Sequence, residues 1–315
     1  MALAFIAPGQ GAQFVGMGME LAKSYPQSRS VFEEVDDALG ENLSDLIWYG
    51  SIEDLTLTEN AQPALMATTL AVFRALQSEG LKLSDAKFVA GHSLGEYSAL
   101  AMAESLSISD AAKLLRIRGR AMQNAVPVGV GAMAAILGLP YSDLVEITKQ
   151  AASNGVCQAA NDNDPSQVVV SGHKGAVERA IEIAKEAGAK RAILLPVSAP
   201  FHSELMAPAS LEMKDALSTI SIIEPTIPLV SNVRAQAVRQ PAEIRSLLVE
   251  QVTGVVRWRE SIEWMANNGV TEMLEIGAGR ALSGMVRRIN RSISCASASN
   301  PDEVTKVILS QSEIR

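Results

Sequence analysis

FVAGHSLGEYSALAMAES, residues 88–105, joins a short apolar run to an alanine-rich stretch with helical character. Ser93 stands at the junction between Gly91 and Gly95, a spacing typical of the sharp strand-to-helix turn called a nucleophile elbow. Glycines leave room for such a turn, and the serine hydroxyl then projects from the end of the strand. The alternative is a serine that only caps the helix. The motif therefore predicts a strand–turn–helix unit and leaves both roles open for Ser93.

Strand-like and helical segments alternate on both sides of this unit. Strands are predicted at 3–11, 87–91, 227–233 and 270–279, and helices at 28–40, 63–81 and 107–126. The last of these helices is predicted to begin at Ser109 or Asp110. Strands that alternate with helices of this length indicate the α/β class, with a mostly parallel sheet covered on both faces.

The pattern changes after Pro127. Six short segments follow in the order βαββαβ, which is the ferredoxin-like arrangement: 131–139, 141–155, 156–162, 166–172, 174–190 and 191–197. Proline-containing stretches flank them at 127–129 and 196–200 and are typical of linkers. We therefore predict a catalytic core formed by residues 1–127 and 199–315, interrupted by an inserted subdomain at 128–198.

Composition excludes several classes of protein. The chain has 48% hydrophobic and 20% charged residues, as ordinary globular proteins do. A net charge of −8 and an aromatic content of 4% argue against a nucleic-acid binder. The two cysteines, Cys157 and Cys295, have no spacing typical of a metal site or disulfide framework. The N-terminus lacks the basic flank of a signal peptide, and no apolar run is long enough to span a bilayer. We expect a cytoplasmic protein that does not engage membranes.

A catalytic serine needs a base, and the chain has three histidines. His92 is adjacent to Ser93, but consecutive side chains in a sharp turn diverge, which favours a packing role. His173 is predicted to cap or solvate a helix of the inserted subdomain. His202 lies where the chain re-enters the core, and elimination favours it as the base. No acid between Ser93 and His202 is predicted at a strand end of the core. Either a carbonyl or a side-chain amide orients His202, or the protein is not a standard hydrolase.

Seven short motifs resemble those of a known family in both sequence and order. They are PGQGAQ (8–13), ENAQPAL (59–65), GHSLGE (91–96), RGRAMQ (118–123), NDPSQVVVSG (163–172), PFH (200–202) and EIGAG (275–279). Together they cover nearly the whole chain and resemble the malonyl-CoA:acyl-carrier-protein transacylases of fatty-acid synthesis. This resemblance implies an α/β-hydrolase-like core with a ferredoxin-like insertion.

The resemblance also implies a role for each matching residue. Ser93 would be the acylated nucleophile, His202 its base, and the backbone carbonyl of Gln251 the group that orients His202. The amides of Gln10 and Leu94 would form the oxyanion hole. The remaining substrate-binding positions would be Gln10, Arg118, Asn161 and Phe201. Of these, Arg118 would hold the malonyl carboxylate with its guanidinium fork, because a buried carboxylate needs such a partner.

The flanking arginines, Arg116 and Arg120, would point away from Arg118 on a helix, which favours a solvated face. Phe201 is bulky at a position that the family associates with malonyl over branched methylmalonyl groups.

The implied reaction is a ping-pong transfer from malonyl-CoA to the phosphopantetheine thiol of acyl carrier protein. The prosthetic group belongs to the partner, so we expect no metal or bound cofactor. Carrier proteins are acidic, so a basic patch is expected to dock them, and the candidates are Lys190, Arg191, Arg287 and Arg288. No long apolar patch demands a second copy, so we expect a monomer.

Three other hypotheses stay open. One is a serine thioesterase or esterase with water as the acceptor, another is a trans-acting acyltransferase of a polyketide synthase. The third is a non-catalytic module that docks carrier proteins.

Overall fold

The structure, a computed structural model, describes residues 2–197 and 199–312. In chain order its strands are β1 Ala2–Ala7, β2 Ala86–Gly91, β3 Gly131–Leu137, β4 Cys157–Asp164, β5 Gln167–His173, β6 Arg191–Leu194, β7 Leu229–Val230, β8 Ala237–Val238, β9 Val270–Ile276 and β10 Ser294–Ala298. They form two sheets, ordered β10-β9-β1-β2-β7-β8 and β4-β5-β3-β6. The first sheet is parallel apart from β8, and the second is antiparallel. The predicted α/β class with a mostly parallel sheet is confirmed.

Helices cover these sheets. They are α1 Met19–Ser24, α2 Pro26–Leu39, α3 Leu43–Tyr49, α4 Ile52–Thr56, α5 Thr58–Ser78, α6 Gly95–Met102, α7 Ile108–Asn124, α8 Tyr141–Ala152, α9 Lys174–Glu186, α10 Ala207–Ser218, α11 Pro241–Gln251, α12 Trp258–Asn267, α13 Ala281–Ile289 and α14 Pro301–Ser312. Short 3-10 helices lie at Leu83–Asp85 and Glu204–Met206. Among the described residues, no helix combines the length and the apolar character that crossing a bilayer requires.

The centre of the large sheet is buried on both faces. Along β1, Phe5 and Ala7 join the apolar cluster that contains α5, whereas Ala4 and Ile6 join the cluster that contains α12. Side chains alternate across a strand, so a continuous apolar run is what a doubly covered parallel strand requires. Ala7 pairs with Gly91, which brings the ends of β1 and β2 to the same sheet edge. The loop after β1 therefore lies beside the turn that carries Ser93.

The small sheet divides its two faces between separate apolar clusters. Along β3, Ala134 and Ile136 pack with residues of α8 and α9. Met133 and Ala135 point the other way and belong to the main core cluster. Buried carboxylates of β4 add further ties, since Asp162 pairs with Arg259 of α12 and Asp164 with Arg288 of α13. The small sheet therefore packs directly on the larger unit.

The prediction that α7 begins at Ser109 or Asp110 is wrong. Ser107 caps the helix, and its hydroxyl oxygen accepts a hydrogen bond from the amide of Asp110 at 3.0 Å. Ser109 lies inside the first turn and donates to Glu34. An N-cap serine accepts a hydrogen bond from the backbone amide three residues later, and Ser107 is the residue that does so here. The strand predicted at 227–233 is also shorter, because only Leu229–Val230 pairs with β2.

The prediction that Arg116 belongs to a solvated helix face is wrong as well. Its side chain is only 7% exposed. It donates to the carbonyl oxygen of Glu59 at 2.8 Å and pairs with Glu41. Helix α7 packs against both α5 and α2, so more of its surface is covered than a single apolar stripe suggests. Arg120, one turn later, is 55% exposed and pairs with Glu59, as expected for a solvated position.

Candidate active site

Ser93 occupies a turn that only glycines permit on either side. A Cβ atom on Gly91 would lie 1.8 Å from the carbonyl oxygen of Gly95, and one on Gly95 would lie 2.4 Å from that of Ala7. Ser93 itself has a φ angle of 53°, in the left-handed region that non-glycine residues rarely adopt. Such strain is typical of a nucleophile held out from the end of a strand. The local sequence therefore dictates the elbow.

His202 is aligned with the serine hydroxyl. Its Nε2 lies 2.8 Å from Ser93 Oγ, and its Nδ1 lies 2.9 Å from the backbone carbonyl oxygen of Gln251. A carbonyl can only accept, so Nδ1 carries the proton and Nε2 is left to accept one from the serine. Burial lowers the pKa of His202 to about 3, and the positive charge of Arg118 contributes. The imidazole of His202 is therefore neutral at physiological pH, with Nε2 placed to accept the serine proton.

Arg118 is a buried cation directed at the same hydroxyl. It is 1% exposed, and its Nη2 donates to Ser93 Oγ at 3.1 Å and to Gln251 Oε1 at 2.9 Å. Its Nη1 donates to Gln62 Oε1 at 2.8 Å. Within residues 2–197 and 199–312, no carboxylate forms an ion pair with it. Burial lowers its pKa. A buried charge without a directly paired carboxylate is costly, so this position suits an anionic ligand.

Sequence reasoning missed three residues that surround this group. Asn232 Oδ1 accepts from the amide of Ser93 at 2.7 Å, and Asn232 Nδ2 donates to the carbonyl oxygen of Gly91 at 2.7 Å. Glu96 Oε2 accepts from Gln251 Nε2 at 2.6 Å. Gln62 is the third. One signal was available for Asn232, because it follows β7 at the carboxyl end of a parallel strand, where ligand sites of α/β proteins form.

A cleft of about 470 Å³ opens above Ser93 and His202. The other predicted substrate-binding residues all line it, namely Gln10, Arg118, Asn161 and Phe201. Leu94 is buried beneath it as the first residue before α6. Among the described residues, nothing accepts a hydrogen bond from the backbone amides of Gln10 or Leu94. Both amides are thus available to a ligand.

The other two histidines have structural environments: His92 packs as predicted, whereas the side chain of His173 makes no capping hydrogen bond to α9. His92 Nε2 lies 2.8 Å from Asn163 Oδ1, and its ring packs at 5.6 Å from that of Trp258. His173 is the residue before α9, and its Nδ1 accepts from the amide of Val156 at 2.9 Å. Neither ring contacts Ser93 Oγ.

The four predicted docking residues lie on two elements. Lys190 and Arg191 are exposed at the start of β6, and Arg287 and Arg288 are exposed in the last turn of α13. Residues near both elements line the cleft, including Leu195 and Met285. The two arginines differ in their partners, since Arg288 Nε donates to the buried carboxylate of Asp164 at 2.9 Å, while Arg287 borders a separate surface concavity with Arg280 and Lys306.

Known proteins are similar to this chain over nearly its whole length. The family model for the acyl transferase domain matches residues 4–304. The malonyl CoA-acyl carrier protein transacylase of Bacillus subtilis strain 168 is 46% identical over 97% of this chain and 96% of its own length. The crystal structure of an acyl-carrier-protein-S-malonyltransferase from Bartonella henselae is 53% identical, covers 98% of this chain and 99% of its own, and superimposes with a TM-score of 0.96.

A second structure holds a type II polyketide acyl carrier protein in complex with its malonyl-transacylase. It is 39% identical, covers 98% of this chain and 100% of its own, and has a TM-score of 0.95. A family match over residues 4–304 and identities of 39% to 53% over nearly the whole chain show one family. The chain belongs to the acyl transferase family, in the group of the malonyl CoA-acyl carrier protein transacylases.

Proposed function

We propose that this protein transfers a malonyl group from malonyl-CoA to the phosphopantetheine thiol of acyl carrier protein through a malonyl ester on Ser93. The observation that carries the proposal is the buried Arg118, 3.1 Å from the nucleophile and without a carboxylate partner among the described residues. In a malonyl thioester, one methylene separates the reacting carbonyl from the free carboxylate. A cation this close to the serine oxygen therefore matches a malonyl group and has no use for an acetyl group.

In the first half-reaction, Ser93 Oγ attacks the thioester carbonyl while His202 Nε2 takes its proton. Negative charge develops on the carbonyl oxygen, and the amides of Gln10 and Leu94 are the donors that would hold it. The carbon–sulfur bond then breaks, CoA leaves as its thiol with the proton from His202, and the malonyl ester remains. The carbonyl of Gln251 keeps Nδ1 protonated, and therefore Nε2 reactive, throughout.

In the second half-reaction, the phosphopantetheine thiol of the carrier protein occupies the place that CoA left. His202 takes the thiol proton, the sulfur attacks the ester carbonyl, and Ser93 leaves with that proton. The carrier supplies the prosthetic group, and this chain supplies the nucleophile Ser93 and the residues that bind, orient and move protons. The relative with a bound type II polyketide acyl carrier protein supports a carrier protein as partner. Ser93, Arg118 and His202 come from one chain, which supports a monomeric catalytic unit.

We further infer that the fold is an α/β-hydrolase-like core with a ferredoxin-like subdomain inserted at 128–198. The ferredoxin-like subdomain is supported by the antiparallel strand order β4-β5-β3-β6 and by the packing of α8 and α9 on one face of that sheet. The hydrolase-like core is supported by the elbow between β2 and α6. Met1, Ser198 and residues 313–315 of the proposed boundaries lie outside the described residues.

Acylation is expected to be insensitive to pH where histidines usually titrate. With its pKa lowered to about 3, His202 stays neutral from pH 8 to pH 5. Burial raises the pKa of Glu96 to about 7, so the Glu96→Gln variant is used to remove that titration. For the Glu96→Gln variant we expect kcat/KM for malonyl-CoA to change less than about 2-fold between pH 8 and pH 5. A histidine base with an ordinary pKa would lower kcat/KM by about 30-fold over the same range. A descending limb near pH 6.5 would contradict a buried neutral base.

Charge reversal at Arg287 is expected to impair docking of the carrier without affecting the chemistry. Arg287→Glu should raise the KM for acyl carrier protein by about 3-fold to 10-fold, mostly at low salt, and leave acylation by malonyl-CoA unchanged. Arg288 is the poorer target because its reversal would strand the buried Asp164.

The matched control is Arg74→Glu, an exposed arginine on α5 that lies about 18 Å along the helix from the cleft residue Gln62. A fall in both half-reactions, or an equal effect of both substitutions, would count against the docking role.

Mass spectrometry of the intact protein tests the proposed function directly. After exposure to malonyl-CoA the protein should carry one malonyl group on Ser93, with release of one equivalent of CoA, and labelling by acetyl-CoA and methylmalonyl-CoA should be weaker. Addition of a holo carrier protein should then transfer the malonyl group from Ser93 to the carrier. Continuous CoA release without an acceptor would identify a thioesterase instead. Parallel assays with fatty-acid and polyketide carriers decide which kind this protein serves.

A further inference from the structure

Glu96 lies directly beneath the reacting groups, although it lines no part of the cleft. It is 1% exposed and belongs to the first turn of α6, three residues after the nucleophile. Its Oε2 accepts two hydrogen bonds, from Gln251 Nε2 at 2.6 Å and from the backbone amide of Asn232 at 3.3 Å. A single carboxylate oxygen therefore ties together the end of α11 and the loop after β7.

The two residues that Glu96 holds make hydrogen bonds to the backbone of Ser93 and to the side chains of Arg118 and His202. Gln251 Nε2 also donates to the carbonyl oxygen of Ser93 at 3.0 Å, its Oε1 accepts from Arg118, and its own carbonyl accepts from His202. Side chain and carbonyl belong to one residue, so a rotation of Gln251 would displace Arg118 and His202 together.

Asn232 fixes the elbow from the other side. Its Oδ1 accepts from the amide of Ser93 and its Nδ2 donates to the carbonyl oxygen of Gly91, which leaves its orientation fully determined. The bond from its backbone amide to Glu96 sets the height of this loop against α6.

The electrostatic coupling between Glu96 and Arg118 is a second argument for a role of Glu96 in the site. Burial raises the pKa of Glu96 to about 7, and the positive charge of Arg118 opposes that rise. Glu96 likewise favours the charged form of Arg118. A buried carboxylate is costly, and an ordinary helix position at this depth would be apolar. The hydrogen bonds from Gln251 and Asn232 offset part of this cost.

We propose that Glu96 is a positioning residue for acyl transfer, which through Gln251 and Asn232 aligns His202 with Ser93 and directs Arg118 at the acyl carboxylate. The inference rests on the proposed function and names a residue through which that site is held. It requires the oxygen acceptor at this position, not the negative charge, because one oxygen accepts both hydrogen bonds.

The experiment compares Glu96→Ala, Glu96→Asp and Glu96→Gln by rapid-quench mass spectrometry of Ser93 acylation, with malonyl-CoA and with acetyl-CoA. Loss of alignment by about 1 Å costs roughly 100-fold, so Glu96→Ala should slow the saturated rate with both donors by about that factor. Glu96→Asp withdraws the oxygen by one methylene and should lose about 10-fold. The amide oxygen of Glu96→Gln can accept both bonds and should restore the rate to within about 3-fold.

Glu303→Ala is the matched control. It removes another largely buried carboxylate, which accepts hydrogen bonds from Ser299 but does not line the cleft. It should lower the melting temperature without changing the acylation rate of the folded protein. If Glu96→Ala does not fold, the contrast between Glu96→Asp and Glu96→Gln decides alone.

Equal acylation rates for Glu96→Asp, Glu96→Gln and the wild type would overturn the positioning role, as would a loss seen only in KM. A wild-type protein that malonyl-CoA does not acylate would instead refute the proposed function, so the two failures are distinguishable.

Discussion

Ser93→Ala is expected to abolish acyl transfer, with a loss of at least about 10⁴-fold in rate and no covalent malonyl label. In the proposed mechanism the serine oxygen carries the acyl group between the two half-reactions, and no other hydroxyl lies at hydrogen-bond distance from His202 Nε2 within the described residues. The measurement is intact-protein mass spectrometry combined with the rate of CoA release. Undiminished transfer by Ser93→Ala would show that Ser93 is not the nucleophile.

The same prediction has a sharper form in the double variant. Ser93 and His202 act as one unit, so removing either should cost about as much as removing both. His202→Ala and the Ser93→Ala, His202→Ala pair should therefore fall to the same residual rate as Ser93→Ala. His173→Ala is the matched control, since its ring only accepts a bond from the amide of Val156, and it should transfer at the wild-type rate. Multiplicative losses would show that His202 acts independently of the serine.

The local part of the site could be predicted from the sequence because its physics is local. Gly91, Ser93 and Gly95 specify a sharp turn by their own steric requirements, and the βαββαβ order follows from hydrophobic periodicity. His202 could be reached by elimination because the chain has only three histidines. Arg118 and Gln251 gained their roles from family resemblance, and nothing in their own surroundings in the sequence distinguished them.

The parts that could not be predicted depend on contacts between distant segments. Asn232 lies 139 residues from the serine whose amide it holds, and Gln251 lies 155 residues from Glu96. No local pattern marks such pairs, because each side chain is ordinary in its own segment. Arg116 is predicted from its helical position to be exposed, but it is buried because α2 and α5 both pack against α7.

Arg118→Ala is expected to weaken malonyl transfer by about 3 kcal/mol, or roughly 150-fold in kcat/KM. The substitution leaves the malonyl carboxylate buried without a partner, whereas an acetyl group has no charge to lose. The ratio of acetyl-CoA to malonyl-CoA use should therefore rise by a similar factor. The malonyl transfer rate of Arg118→Lys should lie between those of the wild type and Arg118→Ala, because an ammonium supplies the charge but not the bidentate fork.

Steady-state kinetics with both donors, at matched carrier protein concentration, measure this selectivity. Arg120→Ala is the matched control, since that arginine lies on the same helix, is 55% exposed and pairs with Glu59 outside the cleft. It should leave the acetyl-to-malonyl ratio unchanged. A ratio equally unchanged in Arg118→Ala would mean that the buried guanidinium serves only to hold Gln62 and Gln251 in place. The malonyl carboxylate would then need another partner in the cleft, and Gln10 and Asn161 are two of the polar side chains that line it.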